Sequence, residues 1–179
     1  MSDPLTVIRM REGGHVQRCH CFPHHGSYDV AQHTWHMLAL LEMLHPDPPR
    51  ALYSAIIRHD VFERWTGDIP AVTSQIMPEM KVAKTEAEAR VSQLIGIQEV
   101  GFREELTTED LAWIKALDSV EFLMWCDDQL AMGNRLIETK RDNVMDTLQN
   151  SWESWPHEIR SFLDDYRWTR TNDDILPRS

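Results

Sequence analysis

The stretch HDVFERWTGDIP, residues 59–70, constrains the fold more than any other part of the chain. It packs His59, Asp60, Glu63 and Asp68 around a Thr66-Gly67 turn. Read as a helix running into a loop, it stacks His59 and Glu63 on one face, because residues four apart share a face. The apolar positions leading in, Leu52, Ala55 and Ile56, turn that face inward. Buried carboxylates need a partner or a cation. A fold that buries this segment must therefore supply something for these charges to bind.

The rest of the chain reads as helices with clear punctuation. Asp3-Pro4 opens a helix over about 3–12, and Gly13-Gly14 stops it. Asp29 caps a helix over 30–44 whose inward stripe is Val30, His33, Met37, Leu40, Leu41 and Leu44. His33, taken alone, reads first as a core histidine. Asp47 and Pro48 open the helix over 48–64 that carries His59 and Glu63. A charged helix over 79–97 follows the loop at 66–79, and its lysines read as a solvated face. Thr107 with Asp110 forms a capping box for a long helix, 108–132, stopped by Gly133. Its stripe is Leu111, Ile114, Asp118, Phe122 and Trp125. An unpaired Asp118 in that stripe would be costly or stay protonated, so it is either locally bonded or facing a cation. Two more helices, 137–151 and 156–168, carry Trp152, Trp155, Phe162 and Trp168. No strand or repeat is evident. The expected fold is all-α: one bundle over 1–170 with a tail at 171–179.

Residues 15–29, HVQRCHCFPHHGSYD, are irregular and rich in His and Cys. Three readings stay open. A structural zinc would use Cys19, Cys21, His24 and His25, although C-x-C is tight and no second Cys pair follows. A surface loop is the plainest reading. A ligand-facing loop would use Arg18, whose guanidinium fork matches phosphate oxygens.

A net charge of −11 over 179 residues disfavours nucleic-acid polymers and anionic membranes as partners. No apolar run approaches the ~18 residues of a membrane span. Three cysteines form no paired framework, which suits a reducing cytoplasm.

His33, the His59-Asp60 pair and Asp118 come from three different helices. Two imidazoles and two carboxylates suit one divalent metal with positions left open, among Co, Mn, Zn, Mg, Fe and Ni. The order H…HD…D resembles the HD-domain metal-dependent phosphohydrolases. The longer block resembles the HD-x-x-E-x-x-T-G-D-[LI]-P stretch of bacterial 5′-deoxynucleotidases and related phage deoxynucleoside-triphosphate hydrolases. DVAQHTWHM and KALDSVEFLMWCDDQLAMGN resemble two further segments of that family, so the likeness runs from about Arg18 to Asn134.

The resemblance implies an all-α fold and a metal on His33, His59, Asp60 and Asp118. It implies Arg18 on a phosphate, Glu63 orienting or deprotonating the attacking water, and a catalytic or substrate-binding Asp68 near the sugar or the metal-bound water. Three positions depart from the family pattern. Cys19 stands where a Trp is common beside the substrate, and Gln32 replaces a Glu. The Lys after the block is absent, with Thr73 and Ser74 in its area, leaving Lys81 or Lys84 to bind phosphate. The implied function is hydrolysis of 2′-deoxynucleotide phosphate esters, mono- or triphosphate, in the cytoplasm of a bacterium or a phage-infected host. A homo-oligomer, dimer or larger, is also implied, with the Trp-rich C-terminal helices as interface or core. The alternatives are an HD-type cyclic-nucleotide phosphodiesterase and a catalytically silent nucleotide-binding scaffold. The T-G-D-[LI]-P likeness favours the nucleotidase.

Overall fold

A computed structural model describes residues 3–70, 73, 76–97 and 106–169. The expected tail at 171–179 lies outside the described residues. The helices are α1 (Pro4–Glu12), α2 (Val30–Leu44), α3 (Arg50–Arg58), α4 (Glu63–Thr66), α5 (Pro78–Ile95), α6 (Thr108–Ala131), α7 (Glu138–Asn150) and α8 (His157–Thr169). Among the described residues there is no strand, only an isolated bridge between Gln17 and Asp29. The all-α expectation holds.

Local chemistry starts the helices where the sequence places them. Asp29 accepts from the Gln32 amide at 2.8 Å, and Asp3 from the Thr6 amide at 3.3 Å. Both halves of the Thr107–Asp110 capping box form. These bonds satisfy donors that a helix N-terminus leaves free. Asp47 does not cap α3; Pro49 takes that position without a side-chain bond.

α6 is the central helix, packed by α2, α3 and α7. Its buried face is Trp113, Ala116, Leu117, Val120 and Leu123, not the stripe that begins at Leu111. Leu111 is exposed, and Asp118 lies half-exposed at the border of the buried face. Neighbours on several sides leave α6 with a broad apolar face, so a single narrow stripe picks the wrong centre. Trp155 is buried and donates from Nε1 to the Leu148 carbonyl at 2.9 Å. Trp152 and Phe162 pack on the same core. Trp152, Trp155 and Phe162 are thus core, the Trp168 side chain lies outside the described residues, and Trp35 and Met43 on α2 are exposed.

The helix expected over 48–64 breaks after Arg58. His59, Val61 and Glu63 amides bond carbonyls three residues back, at 3.5, 3.2 and 3.1 Å. This tighter turn swings His59 and Asp60 off the α3 face before α4 begins. Gly13 sits directly on the turn: a Cβ there would lie 2.9 Å from the Val61 carbonyl oxygen. The end of α1 therefore presses the His59–Phe62 turn into place. Gly67 then ends α4 with φ 74°.

The His- and Cys-rich loop is tied down, not free. Gln129, on α6, uses its amide like a backbone group, accepting from the His25 amide at 2.8 Å and donating to the His25 carbonyl at 2.9 Å. Asn134 donates to the Pro23 carbonyl at 3.1 Å. Tyr28 is buried and stacks on Trp125 with ring centres 4.5 Å apart. The zinc reading of this loop fails: among the described residues, Cys19, Cys21, His24 and His25 form no metal-binding group. His24 instead packs edge-on against Trp125.

Candidate metal centre and substrate cavity

α2 delivers His33 and the 59–62 turn delivers His59 and Asp60. The His33 and His59 Nε2 atoms lie 3.2 Å apart. Asp60 Oδ2 is 3.2 Å from His59 Nε2 and 3.9 Å from His33 Nε2. Asp118 Oδ1 reaches His33 Nε2 at 3.2 Å from the border of α6.

The opposite ring nitrogens fix what these atoms can do. His59 Nδ1 donates to the Ile56 carbonyl at 2.7 Å. His33 Nδ1 donates to the Glu121 carboxylate at 2.5 Å. A neutral imidazole that donates from Nδ1 presents a lone pair at Nε2. With both rings neutral, two lone pairs and a carboxylate oxygen converge, a donor set that fits a divalent cation. His33, His59 and Asp60 form a group able to hold a metal ion, with Asp118 at its edge.

The charges agree with that geometry. Burial works against protonation of His33, yet hydrogen bonds to Asp118 and Glu121 raise its pKa to about 9. Burial likewise opposes charge on His59, and Asp60 raises its pKa above the ordinary value. Burial opposes the Asp60 charge too, but His59 and Arg18 hold its carboxyl well below the usual carboxylate range. The neighbouring carboxylates thus make the cluster a field that favours positive charge.

A cavity of about 680 Å³ opens onto this cluster. Arg18 lines it, bonded to Asp60 and 3.6 Å from Asp118. Glu63 also lines it and is almost fully buried. Its Oε1 accepts from Lys84 Nζ at 2.7 Å, and its buried Oε2 has no partner. Burial, then the Asp60 charge, pushes the Glu63 pKa up to about 7 against the pull of Lys84. Asp68 accepts from the Cys19 amide at 3.1 Å, which Cys19 reaches with a left-handed φ of 55°. Burial pushes the Cys19 thiol up to about 12, so it stays protonated. Lys84 enters the cavity; Lys81 is exposed and does not line it.

Sequence reasoning missed two parts of the site. Glu121 is buried beside His33, and its signal was the one that marked Asp118, a carboxylate inside the apolar run of α6. Lys140, Asn143 and Thr147 form a cavity wall on α7. Nothing in the polar sequence of α7 distinguishes them from a solvated face.

The family model described as YfbR-like 5′-deoxynucleotidase matches residues 8–167. The chain belongs to this family. It is a deoxynucleotide phosphohydrolase, and the cluster at His33, His59 and Asp60 has the donors for its metal. Among solved structures, the chain is similar to an HD phosphohydrolase, DatZ, of cyanophage S-2L, bound to dA and one catalytic Zn2+. The two share 17% identity over 96% of each chain, with a TM-score of 0.73. That likeness shows the HD phosphohydrolase fold. No curated protein sequence matches the chain. No helix among the described residues is long and apolar enough to cross a membrane.

Proposed function

We propose that the chain is a 5′-deoxynucleotidase that releases phosphate from deoxynucleoside monophosphates. The observation that carries this choice is the charge inventory of the cavity. Its lining holds Arg18, Lys84 and Lys140 against Asp60, Glu63, Asp68, Asp118 and Asp146. Lys84 is already committed to Glu63. A triphosphate brings far more negative charge than this wall offsets, whereas a monophosphate needs little beyond Arg18 and one divalent ion.

His33, His59, Asp60 and Asp118 hold the ion in this reading. When bound, it lowers the pKa of water and polarises a phosphoryl oxygen. Glu63 takes the proton of the attacking water at its unpartnered Oε2, and a carboxyl near 7 suits that task. Lys84 keeps Glu63 anchored through the other oxygen. Arg18, close to Asp60 and Asp118, offsets charge on the phosphate. Asp68, fixed by the Cys19 amide, meets the sugar hydroxyls. The ligand set and the roles of Arg18, Glu63 and Asp68 rest on this geometry together with the motif likeness. The reading includes a homo-oligomer, dimer or larger, for which exposed Trp35 and Met43 supply apolar surface, and work in the cytoplasm, where the three free cysteines stay reduced. It also includes one catalytic unit over 1–170.

A chromatographic product assay tests it. Protein loaded with Co, Mn, Mg or Zn meets deoxy- and ribonucleoside mono- and triphosphates. Nucleoside plus phosphate from deoxynucleoside monophosphates is expected. Preferential release of intact triphosphate would make the enzyme a triphosphohydrolase instead.

A further inference from the structure

We propose that Glu121 is a positioning residue of the metal centre: it fixes the tautomer and direction of the His33 ring and so sets the metal affinity of the site. The inference rests on the reading of His33 as a metal ligand.

Glu121 is 1% exposed, deep in α6, three residues beyond Asp118. A carboxylate so buried persists only with its oxygens bonded. Oε2 receives the His33 Nδ1 bond at 2.5 Å and the Tyr28 hydroxyl at 2.5 Å. Oε1 receives His36 Nδ1 at 3.0 Å. With Glu121 accepting at Nδ1, His33 carries a proton there, and Nε2 is the nitrogen turned toward His59 and left to ligate a metal. His59 obtains the same orientation from a backbone carbonyl. The two ligands are therefore oriented by different means, and only the His33 side can be altered by a side-chain substitution. The Glu121 charge also makes the His33 ring a stronger donor, as outer partners of ligating histidines do. Asp118 and Glu121 sit one turn apart on α6 and lie against opposite nitrogens of the same ring, so α6 brings one carboxylate to the metal side of His33 and one to its outer side.

Competition for Zn2+ against a chromophoric chelator tests this, on the full chain stripped of metal. Wild type is compared with Glu121→Gln, Glu121→Leu and Tyr28→Phe. Gln keeps the volume and an acceptor but loses the charge; Leu loses both. Affinity is expected to fall about tenfold in Glu121→Gln and about a hundredfold in Glu121→Leu, the range for lost outer-shell partners. Tyr28→Phe removes a different bond to the same carboxylate, so its affinity stays within about twofold of wild type. Nitrogen NMR of the His33 ring gives a second readout: Nδ1 stays protonated in wild type and Glu121→Gln, and a mixed tautomer appears in Glu121→Leu. Should the Leu variant not fold, the Gln and Phe variants still decide the question. Equal affinity in wild type and Glu121→Gln overturns the inference. An equal loss in Tyr28→Phe also overturns it, by marking Glu121 as packing alone. A wild type that binds no Zn2+ overturns the metal reading itself, and is recognised without any variant.

Discussion

His33 Nε2 and His59 Nε2 face each other across 3.2 Å, each ring fixed by a bond on its other nitrogen. Lone pairs so aligned repel unless a cation or a proton lies between them. Against burial, Asp118 and Glu121 raise the pKa of His33 and Asp60 raises that of His59, and a divalent ion would answer the same negative field in a form that supports chemistry. His59→Ala removes one donor and leaves Asp60 with Arg18. It is expected to lose bound Zn2+ and phosphatase activity together while keeping the helical circular-dichroism spectrum. Full activity in the purified variant would remove His59 from the ligand set.

Glu63 stands apart from the ligands, and its substitution separates binding from turnover. Glu63→Gln is expected to bind metal like wild type and to lose about 10²–10⁴ in kcat, the scale of general-base catalysis. The sign of the pH effect follows from the base having to be deprotonated. With the Glu63 pKa pushed up to about 7, kcat/KM rises with pH through that region. A bound cation repels the proton, so the limb in the loaded enzyme falls at or below about 7. The pH–rate profile of Glu63→Gln should lack this limb; an unchanged limb would assign it to another group.

Lys84 tunes that base. It lowers the Glu63 pKa through a 2.7 Å bond, against burial and the Asp60 charge. Lys84→Met removes the pull. The acidic limb of kcat/KM is expected to move to higher pH and the rate at neutral pH to drop. A Lys that served only to bind phosphate would instead raise KM and leave the limb in place. The two outcomes are read from one set of rate profiles.

Gly13 supports the centre from outside. A Cβ there would meet the Val61 side chain and its carbonyl, one residue from Asp60. Gly13→Ala is expected to cost about 1–3 kcal/mol in denaturant unfolding, the range for overpacking. Metal affinity should fall as well, because the turn that aims His59 and Asp60 must shift. Unchanged values of both would mean that the turn holds its shape without α1.

The fold was legible because its helix signals are local. Asp29, the Thr107–Asp110 box and Gly67 each act through bonds to their own neighbours, and each does so in the structure. The face of α6 was not legible, because it depends on which helices cover it; the stripe through Leu111 and Asp118 misplaced its centre. The site was half legible. His33, His59 and Asp60 come together, and Arg18, Glu63, Asp68 and Lys84 line one cavity with Asp118. Two features depended on tertiary contacts that no spacing encodes. The turn at 59–62 replaces a continuous helix because α1 and α5 press on it, with Val61 and Phe62 packed against Ile95. Lys81 and Lys84 look alike in sequence, and only the seating of α5 decides which one reaches Glu63.

The most direct test of the whole account is a metal titration of activity. Stripped protein is titrated with Zn2+, Co2+ or Mn2+ while phosphate release from a deoxynucleoside monophosphate is followed. Activity is predicted to start at background and to reach a plateau at about one ion per chain, the demand of a single two-histidine, two-carboxylate site. Undiminished turnover by the stripped protein, or none with any ion, would contradict it.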